Sequence, residues 1–239
     1  MNNGLTKKSG KKQQVRLMFN NIAHRYDFLN HFLSLGIDFH WRKRLINRIT
    51  LQKPETILDV ATGTGDLAIA AAKLNPNQIT GVDIADDMLA IGRKKISEKK
   101  LDNLITLVTG DSENLQFADS GFDVTMAAFG VRNFENLEKG LSEMYRVLKK
   151  EGKIYILEFS KPTMFPVKQL YFFYFKFILP FLGRLISGDK SAYSYLPASV
   201  SEFPDGEKFV QVMQQVGFRE TSVQTLTLGI VSIYEGKKI

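Results

Sequence analysis

The stretch that decides the fold is Ile57-Leu58-Asp59-Val60-Ala61-Thr62-Gly63-Thr64-Gly65-Asp66, an apolar run that turns through two glycines into a helical pattern. Gly63 and Gly65 carry no Cβ, so the backbone of this loop can approach a nucleotide-like ligand closely. A strand, a glycine loop and a helix in this order open the ligand-binding half of many α/β folds. The stretch therefore predicts an α/β protein with a ligand at the carboxyl end of its first strand.

Apolar runs and helical patterns alternate after this loop, which is typical of a parallel sheet covered by helices on both faces. The C-terminal strands are short enough to form an antiparallel hairpin at the edge of the sheet. The predicted strands are 56–60, 78–83, 105–109, 122–128, 153–159, 221–227 and 229–237, and the predicted helices of this part are 66–74, 86–99, 137–148 and 206–216.

The composition of the 239 residues excludes several classes of protein. Hydrophobic residues make up 44% and charged residues 24% of the chain, which is ordinary for a globular protein. The chain has no cysteine, so disulfides, thiolate zinc sites and a cysteine nucleophile are excluded. The first twelve residues lack the apolar segment of a secretory signal. We expect a cytoplasmic protein.

Basic charge is concentrated in residues 1–50, which contain ten Lys and Arg residues and only two Asp residues. This segment therefore has a net charge of +8, while the whole chain has a net charge of +7. We expect a disordered basic tail at 1–12, a lid of two or three short helices at 13–50, and an α/β domain at 51–239. An apolar helical insertion interrupts this domain at about 163–200. The basic region could face nucleic acid, an anionic membrane or water.

Acidic residues surround the predicted loop. Asp83 ends the second strand, 18 residues after Gly65, where a carboxylate can accept both ribose hydroxyls of an adenosine. Asp111 and Ser112 follow the third strand, beside the expected position of an adenine amino group, and Asp59 comes directly before the loop. Carboxylates suit a ligand with a cationic amino and sulfonium end better than a pyrophosphate, which they would repel. The set favours S-adenosylmethionine.

Other interpretations of these residues stay open. Gly63, Gly65 and Ala68 also satisfy the dinucleotide pattern G-x-G-x-x-G/A, so an NAD-dependent oxidoreductase is an alternative. Asp83 or Asp111 could instead cap a helix or a turn. A nucleic-acid methyltransferase would use the same loop, with the basic N-terminal region on phosphates. A non-catalytic binding protein is a further alternative.

Several longer runs are more specific than the loop. The chain from Met18 to its C-terminus resembles the class I methyltransferases that C-methylate quinol rings in menaquinone and ubiquinone biosynthesis. The resemblance is carried by the loop and by Met18-Phe19-Asn20-Asn21-Ile22-Ala23, Tyr26-Asp27-Phe28-Leu29-Asn30, Phe129-Gly130-Val131-Arg132-Asn133, Leu157-Glu158-Phe159-Ser160-Lys161-Pro162 and Tyr195-Leu196.

This resemblance implies a fold, a cofactor and a substrate. The fold is Rossmann-like, a seven-stranded, mostly parallel sheet of order 3-2-1-4-5-7-6. The cofactor is S-adenosylmethionine, with Thr64, Asp83, Asp111 and Ser112 as its expected contacts. The substrate is a polyprenyl quinol, with demethylmenaquinol expected first and a benzoquinol of ubiquinone biosynthesis as the alternative.

Three residues are candidates for the chemistry. A ring carbon becomes nucleophilic when a neighbouring hydroxyl loses its proton, and the protein must then hold that carbon beside the methyl donor. Arg132 and Asn133 follow the fourth strand, at the edge where α/β sheets bind ligands. We predict that Arg132 lowers the pKa of the quinol hydroxyl, that Asn133 binds a ring oxygen, and that Tyr26 grips the ring or relays its proton.

The structural alternatives are a surface salt bridge for Arg132, a turn residue for Asn133 and core packing for Tyr26. No metal is expected, because the sequence has no His and Asp cluster at ligand spacing.

The apolar segment 165–186 is interrupted by Lys168, Lys176, Pro180 and Arg184. Its charge-free runs are far shorter than the roughly 18 residues needed to cross a bilayer. It is either a core helix of the lid or the lining of a channel for a prenyl tail at the membrane surface. We expect salt-sensitive peripheral contact with an anionic membrane and no binding of nucleic acid. Whether the chain forms a homodimer is left open.

Overall fold

The computed structural model describes residues 10–178 and 190–239. Its centre is a seven-stranded sheet of order β3-β2-β1-β4-β5-β7-β6, which confirms the predicted fold class. β1 to β5 run parallel, and β7 pairs antiparallel with both β5 and β6. The strands are β1 (Thr56–Val60), β2 (Gln78–Asp83), β3 (Ile105–Thr109), β4 (Phe122–Ala128), β5 (Leu148–Phe159), β6 (Arg219–Leu226) and β7 (Val231–Lys237).

Helices cover both faces of the sheet. On one face α2, α3 and α4 form a core with the sheet, and on the other face α5 and α8 form a second core. The described helices are α1 (Lys11–Leu33), α2 (Ile37–Ile49), α3 (Asp66–Ala71), α4 (Asp86–Glu98), α5 (Leu137–Val147), α6 (Val167–Phe173), α7 (Lys190–Glu202) and α8 (Glu207–Val216).

The topology fixes where a ligand can bind. β1 pairs with β2 on one side and with β4 on the other. The chain therefore adds β2 and β3 on one side of β1 and then crosses over to add β4 and β5 on the other side. Ligands of open α/β sheets bind at such a switch point, beyond the carboxyl ends of the strands. The loops after β1, β2, β3 and β4 all meet at this edge.

Two elements differ clearly from the sequence-based predictions, and the bounds of the other predicted strands and helices agree within three residues. β5 begins at Leu148 rather than at 153, because Leu148 is fully buried and pairs with Phe122 of β4. The N-terminal region contains two helices, α1 and α2, within the expected number, but α1 is long, with 23 residues. α1 also begins at Lys11, two residues before the predicted start of the lid at residue 13, and residues 1–9 of the predicted tail lie outside the described residues.

The predicted apolar insertion is helical on both sides of residues 179–189, which lie outside the described residues. α6 leads into a π-helical turn at Tyr174–Ile178, and α7 follows after the gap. Within the part of the chain that the structure describes, no helix is both long enough and apolar enough to cross a bilayer.

Candidate active site

Two cavities adjoin at the carboxyl edge of the sheet. The first, the loop cavity, lies among the loops that follow β1 to β4 and includes Gly63 and Asp83 in its lining. The second, the apolar cavity, has a volume of about 470 Å³ and lies between α1, α2, α6 and α7. Phe19, Tyr26 and Phe129 line both cavities. A group bound in one cavity can therefore meet a group bound in the other at these three side chains.

Asp83 lines the loop cavity and binds the backbone of the glycine loop. Its carboxylate accepts hydrogen bonds from the backbone N–H of Gly63 at 2.8 Å and of Ala85 at 2.9 Å. Gly63 has a φ of +58°, a conformation that favours glycine. Burial raises the pKa of Asp83, while the two backbone donors act in the opposite direction. Asp83 thus fills the capping role considered as an alternative, and it also lines the cavity.

Asp111 and Ser112 also line the loop cavity. Asp111 already has a cationic partner, because Lys12 of α1 lies 2.7 Å from its Oδ2 atom. The Lys12 ammonium also lies 3.4 Å from Glu113. The first turn of α1 therefore contacts the end of the cavity where the sequence predicts an adenine. Lys12 was not among the predicted site residues, since nothing in the sequence pairs a tail lysine with a loop a hundred residues away.

Three predicted cofactor residues lie outside the lining of the loop cavity. Asp59 is fully buried beneath the loop and accepts a hydrogen bond from Thr62 at 2.6 Å. Thr64 donates to Asp27 of α1 at 2.6 Å, and Gly65 packs near Gly92 of α4. Their observed partners are protein groups that hold the loop in place. Direct contact of these three residues with the cofactor stays a prediction.

Arg132 lines the apolar cavity and is almost fully buried, with 7% of its side chain exposed. Its Nη1 atom donates to Glu158 Oε1 at 2.8 Å and also to the carbonyl of Phe129. Glu158, at the carboxyl end of β5, is 0% exposed. Burial raises the pKa of Glu158, and the charge of Arg132 opposes this effect. The ion pair is therefore an internal one, and the guanidinium is fixed at the cavity wall.

Asn133 and Tyr26 take different positions. Asn133 lines the loop cavity and is absent from the lining of the apolar cavity, and its buried Oδ1 atom has no hydrogen-bond partner among the described residues. Tyr26 lies on α1 between the two cavities, packs edge-on against Phe19 and is hydrogen bonded to the Asn30 side chain. Burial raises the pKa of Tyr26. The structure thus brings Tyr26 and Arg132 to one cavity and turns Asn133 towards the other.

Glu158 was missed as a functional residue, although the sequence carried a signal for it. An acidic residue within the apolar run Ile154-Tyr155-Ile156-Leu157-Glu158-Phe159 is at odds with a buried strand unless a cation pairs with it. Such a residue predicts a buried ion pair, but the sequence does not say with which cation.

The matching family model establishes what kind of protein has this site. Residues 7–238 match the model of the ubiE/COQ5 methyltransferase family. The chain belongs to this family. The resemblance noted in the sequence and the prediction of a methyltransferase are therefore confirmed, and the family is not one of oxidoreductases.

Curated relatives match the family assignment along nearly the whole chain. A demethylmenaquinone methyltransferase of Bacteroides fragilis is 49% identical over 229 residues, 95% of this chain and 94% of that protein. One of Porphyromonas gingivalis is 46% identical over 230 residues, 95% of this chain and 94% of that protein. A ubiquinone/menaquinone biosynthesis C-methyltransferase UbiE of Geotalea daltonii is 45% identical over 95% of this chain and 97% of that protein.

Solved structures support the fold at low sequence identity. The [4+2]-cyclase SpnF aligns with a TM-score of 0.70 and 16% identity over 96% of this chain and 97% of its own. A SAM-dependent methyltransferase of Thermotoga maritima aligns with a TM-score of 0.67 and 20% identity over 93% and 99%. Since one of these proteins is named a cyclase, the shared architecture by itself does not specify the reaction.

Proposed function

We propose that this chain transfers a methyl group from S-adenosylmethionine to a ring carbon of a polyprenylated quinol, converting demethylmenaquinol to menaquinol. The observation that carries the proposal is the apolar cavity of about 470 Å³ that adjoins the loop cavity at Phe19, Tyr26 and Phe129. A ring with a long hydrocarbon tail fits such a cavity, and the cofactor's reactive end fits the shared wall. The relatives named demethylmenaquinone methyltransferases support the choice of ring.

The loop cavity suits S-adenosylmethionine in its donor and acceptor groups. Asp83 and Asp111 offer carboxylate oxygens for ribose and adenine, and Asn133 offers a buried side-chain oxygen that has no partner among the described residues. Gly63, with its φ of +58°, allows backbone to approach the ligand. When bound, the cofactor supplies an electrophilic methyl group on a sulfonium. Acidic and amide oxygens favour that cation, whereas they would repel a pyrophosphate.

Arg132 acts on the quinol. A guanidinium beside a ring hydroxyl stabilises the phenolate and so lowers the pKa of that hydroxyl. Glu158 holds the guanidinium in place, with Nη1 and Oε1 2.8 Å apart. The cavity is lined mainly by apolar side chains, so the attraction between the phenolate and the buried Arg132 is stronger than it would be in bulk water. Among the described residues there is no group of three or more acidic or histidine side chains arranged to hold a metal ion.

The alternatives fit the site less well. A benzoquinol would occupy the same cavity, so the rates of methylation of the two rings must be compared directly. An RNA substrate needs an open basic surface, whereas the cavity next to the loop cavity is lined mainly by apolar and aromatic side chains.

The decisive experiment combines the purified chain with S-adenosylmethionine and reduced, short-tailed demethylmenaquinol or the corresponding demethylated benzoquinol. We expect a product heavier by one methyl group with the naphthoquinol. No methylated product from either ring, with cofactor binding intact, would overturn the proposal. Faster turnover of the benzoquinol would correct the choice of ring.

A variant test addresses Arg132. Removing Arg132 alone would leave Glu158 as an unpaired buried charge, which costs about 3–5 kcal/mol of stability. The uncharged double variant Arg132→Gln, Glu158→Gln avoids this problem. We expect it to bind S-adenosylmethionine normally and to lose about 100-fold or more in kcat. Full turnover would exclude Arg132 from the chemistry.

We also propose that the enzyme meets its substrate at the surface of an anionic membrane. At about 0.8 kcal/mol per buried carbon, each five-carbon prenyl unit holds the quinol in lipid by about 4 kcal/mol. The apolar cavity has exposed apolar side chains in its own lining, namely Leu35, Leu170 and Leu228, which are 85%, 64% and 65% exposed. These three leucines, here called the apolar rim, suit insertion into lipid, and the net +8 of residues 1–50 suits an anionic leaflet.

A further inference from the structure

Most polar side chains that line the apolar cavity are engaged with one another. Asp38 accepts hydrogen bonds from Ser34 at 2.6 Å and from Arg42 at 2.5 Å. The Trp41 indole N–H donates to Thr227 at 2.7 Å. These groups have little hydrogen-bonding capacity left for a ligand. They contribute to the wall and hold α2 against the rest of the site.

Two buried polar atoms in this wall lack a hydrogen-bond partner among the described residues: Nε of Arg132 and the hydroxyl oxygen of Tyr195. A buried polar group without a partner destabilises the folded state. Such groups in a native protein call for an explanation, and a missing ligand is a common one. Because both atoms belong to residues of the same cavity, one ligand can satisfy both.

The two groups are within electrostatic reach of each other. Burial raises the pKa of Tyr195, and the positive charge of Arg132 acts on that pKa in the opposite direction. They reach the cavity from different parts of the fold, since Tyr195 lies on α7 and Arg132 follows β4. Arg132 cannot turn freely, because its Nη1 atom is bound to Glu158 and to the Phe129 carbonyl. The position of the guanidinium is thus set independently of the ligand.

We infer that Tyr195 binds the second oxygen of the quinol ring. On the proposed function, Arg132 binds the hydroxyl next to the reacting carbon, and the Tyr195 hydroxyl then hydrogen bonds to the oxygen on the opposite side of the ring. A ring held at both oxygens cannot rotate in an otherwise apolar cavity. Two-point binding keeps the reacting carbon towards the shared wall of Phe19, Tyr26 and Phe129.

The test is Tyr195→Phe, which removes one oxygen and keeps the ring. Because the hydroxyl has no partner among the described residues, we expect the variant to be at least as stable as the wild type and to have an unchanged KM for S-adenosylmethionine. With the demethylated quinol we expect kcat/KM to fall about tenfold, the loss typical of one buried hydrogen bond. Tyr145→Phe is the control, because Tyr145 packs against Phe218 outside both cavities.

A second substrate separates ligand binding from a structural role. A monohydroxy analogue keeps the hydroxyl next to the reacting carbon and lacks the opposite one. We expect wild type and Tyr195→Phe to methylate this analogue at the same rate. An equal loss with both substrates, or a lower melting temperature, would overturn the inference in favour of a structural role, and no loss with the quinol would show that Tyr195 does not bind it. Failure of the wild type to methylate the quinol would instead contradict the proposed function.

Discussion

At the scale of single residues, the carboxylates near the glycine loop differ in their hydrogen-bond donors. Asp83 accepts hydrogen bonds from two backbone N–H groups, whereas the fully buried Asp59 accepts one from the Thr62 hydroxyl at 2.6 Å. Burial raises the pKa of Asp59 to about 7, with the nearby Asp83 as a lesser cause. Below neutral pH the Asp59 carboxyl is therefore protonated and uncharged. It supports the glycine loop from beneath through its hydrogen bond with Thr62.

This difference predicts a pH-dependent stability. In the unfolded chain Asp59 titrates near a pKa of about 3.9. The folded protein therefore keeps a proton that the unfolded chain has lost between those values. The resulting stabilisation is fully present below about pH 4 and is lost as the pH rises to about 7.

Asp59→Asn removes this titration. We expect the melting temperature of the variant, relative to wild type, to be more favourable at pH 8 than at pH 5, in a calorimetric comparison at both values. Asp102→Asn, at an exposed position, serves as the control and should show no such change. An identical difference at the two pH values for Asp59→Asn would contradict the assignment.

At the scale of elements, α1 forms part of the wall of the loop cavity. Val15, Phe19 and Tyr26 line the loop cavity from this helix. α1 is fastened to the loop by Asp27, which accepts from Thr64 at 2.6 Å and lies 2.8 Å from Lys95 of α4. These polar contacts add to the apolar packing of α1 against α4. α1 thus lies along the loop cavity, and its action as a lid stays a prediction.

The lid contact at Lys12 predicts an effect on cofactor affinity. Lys12 forms an ion pair with Asp111, and the Asp111 carboxylate is the expected acceptor for the adenine amino group. Binding of S-adenosylmethionine must weaken this partly exposed ion pair, which is worth about 0.2–1 kcal/mol. We expect Lys12→Ala to bind the cofactor about two- to fivefold more tightly in calorimetry.

The control for this prediction is Lys94→Ala, which removes the same charge from a side chain that is 80% exposed on α4. Its affinity should stay at the wild-type value. Weaker binding by Lys12→Ala would mean that the lysine holds the cofactor and does not compete with it.

At the scale of the whole molecule, the apolar rim and the basic N-terminal region predict where the protein meets lipid. We expect the wild type to float with vesicles that contain anionic lipid, and salt to weaken this association because exposed charges are screened. Replacing Leu35, Leu170 and Leu228 together by serine should reduce flotation and turnover of a long-tailed quinol in vesicles. Turnover of a short-tailed quinol in solution should remain.

Leu51→Ser is the matched control for the rim. Leu51 is 84% exposed, as much as the rim leucines, but it lies outside the lining of the apolar cavity. Its flotation should equal that of the wild type. If the triple rim variant floats as well as Leu51→Ser does, the apolar rim is not the membrane contact.

The sequence alone determined the architecture and the loop cavity. Buried parallel strands need continuous apolar runs, and a glycine loop needs glycine where φ is positive, so both leave local patterns that can be recognised. β1 to β4 were predicted to the residue, and Asp83, Asp111 and Ser112 were placed at one edge because parallel strands end there together. The motif around Arg132 also identified the family.

Only the tertiary structure decided which side chains meet. The pairs Arg132 with Glu158 and Lys12 with Asp111 join residues 26 and 99 positions apart, and ion pairs leave no periodic signal that would connect their partners. Neighbouring residues can also face different spaces, as Asn133 and Arg132 do on one short turn. Local sequence specifies backbone conformation through short-range sterics and burial, whereas the chemistry of a site depends on contacts that exist only after distant segments have packed together.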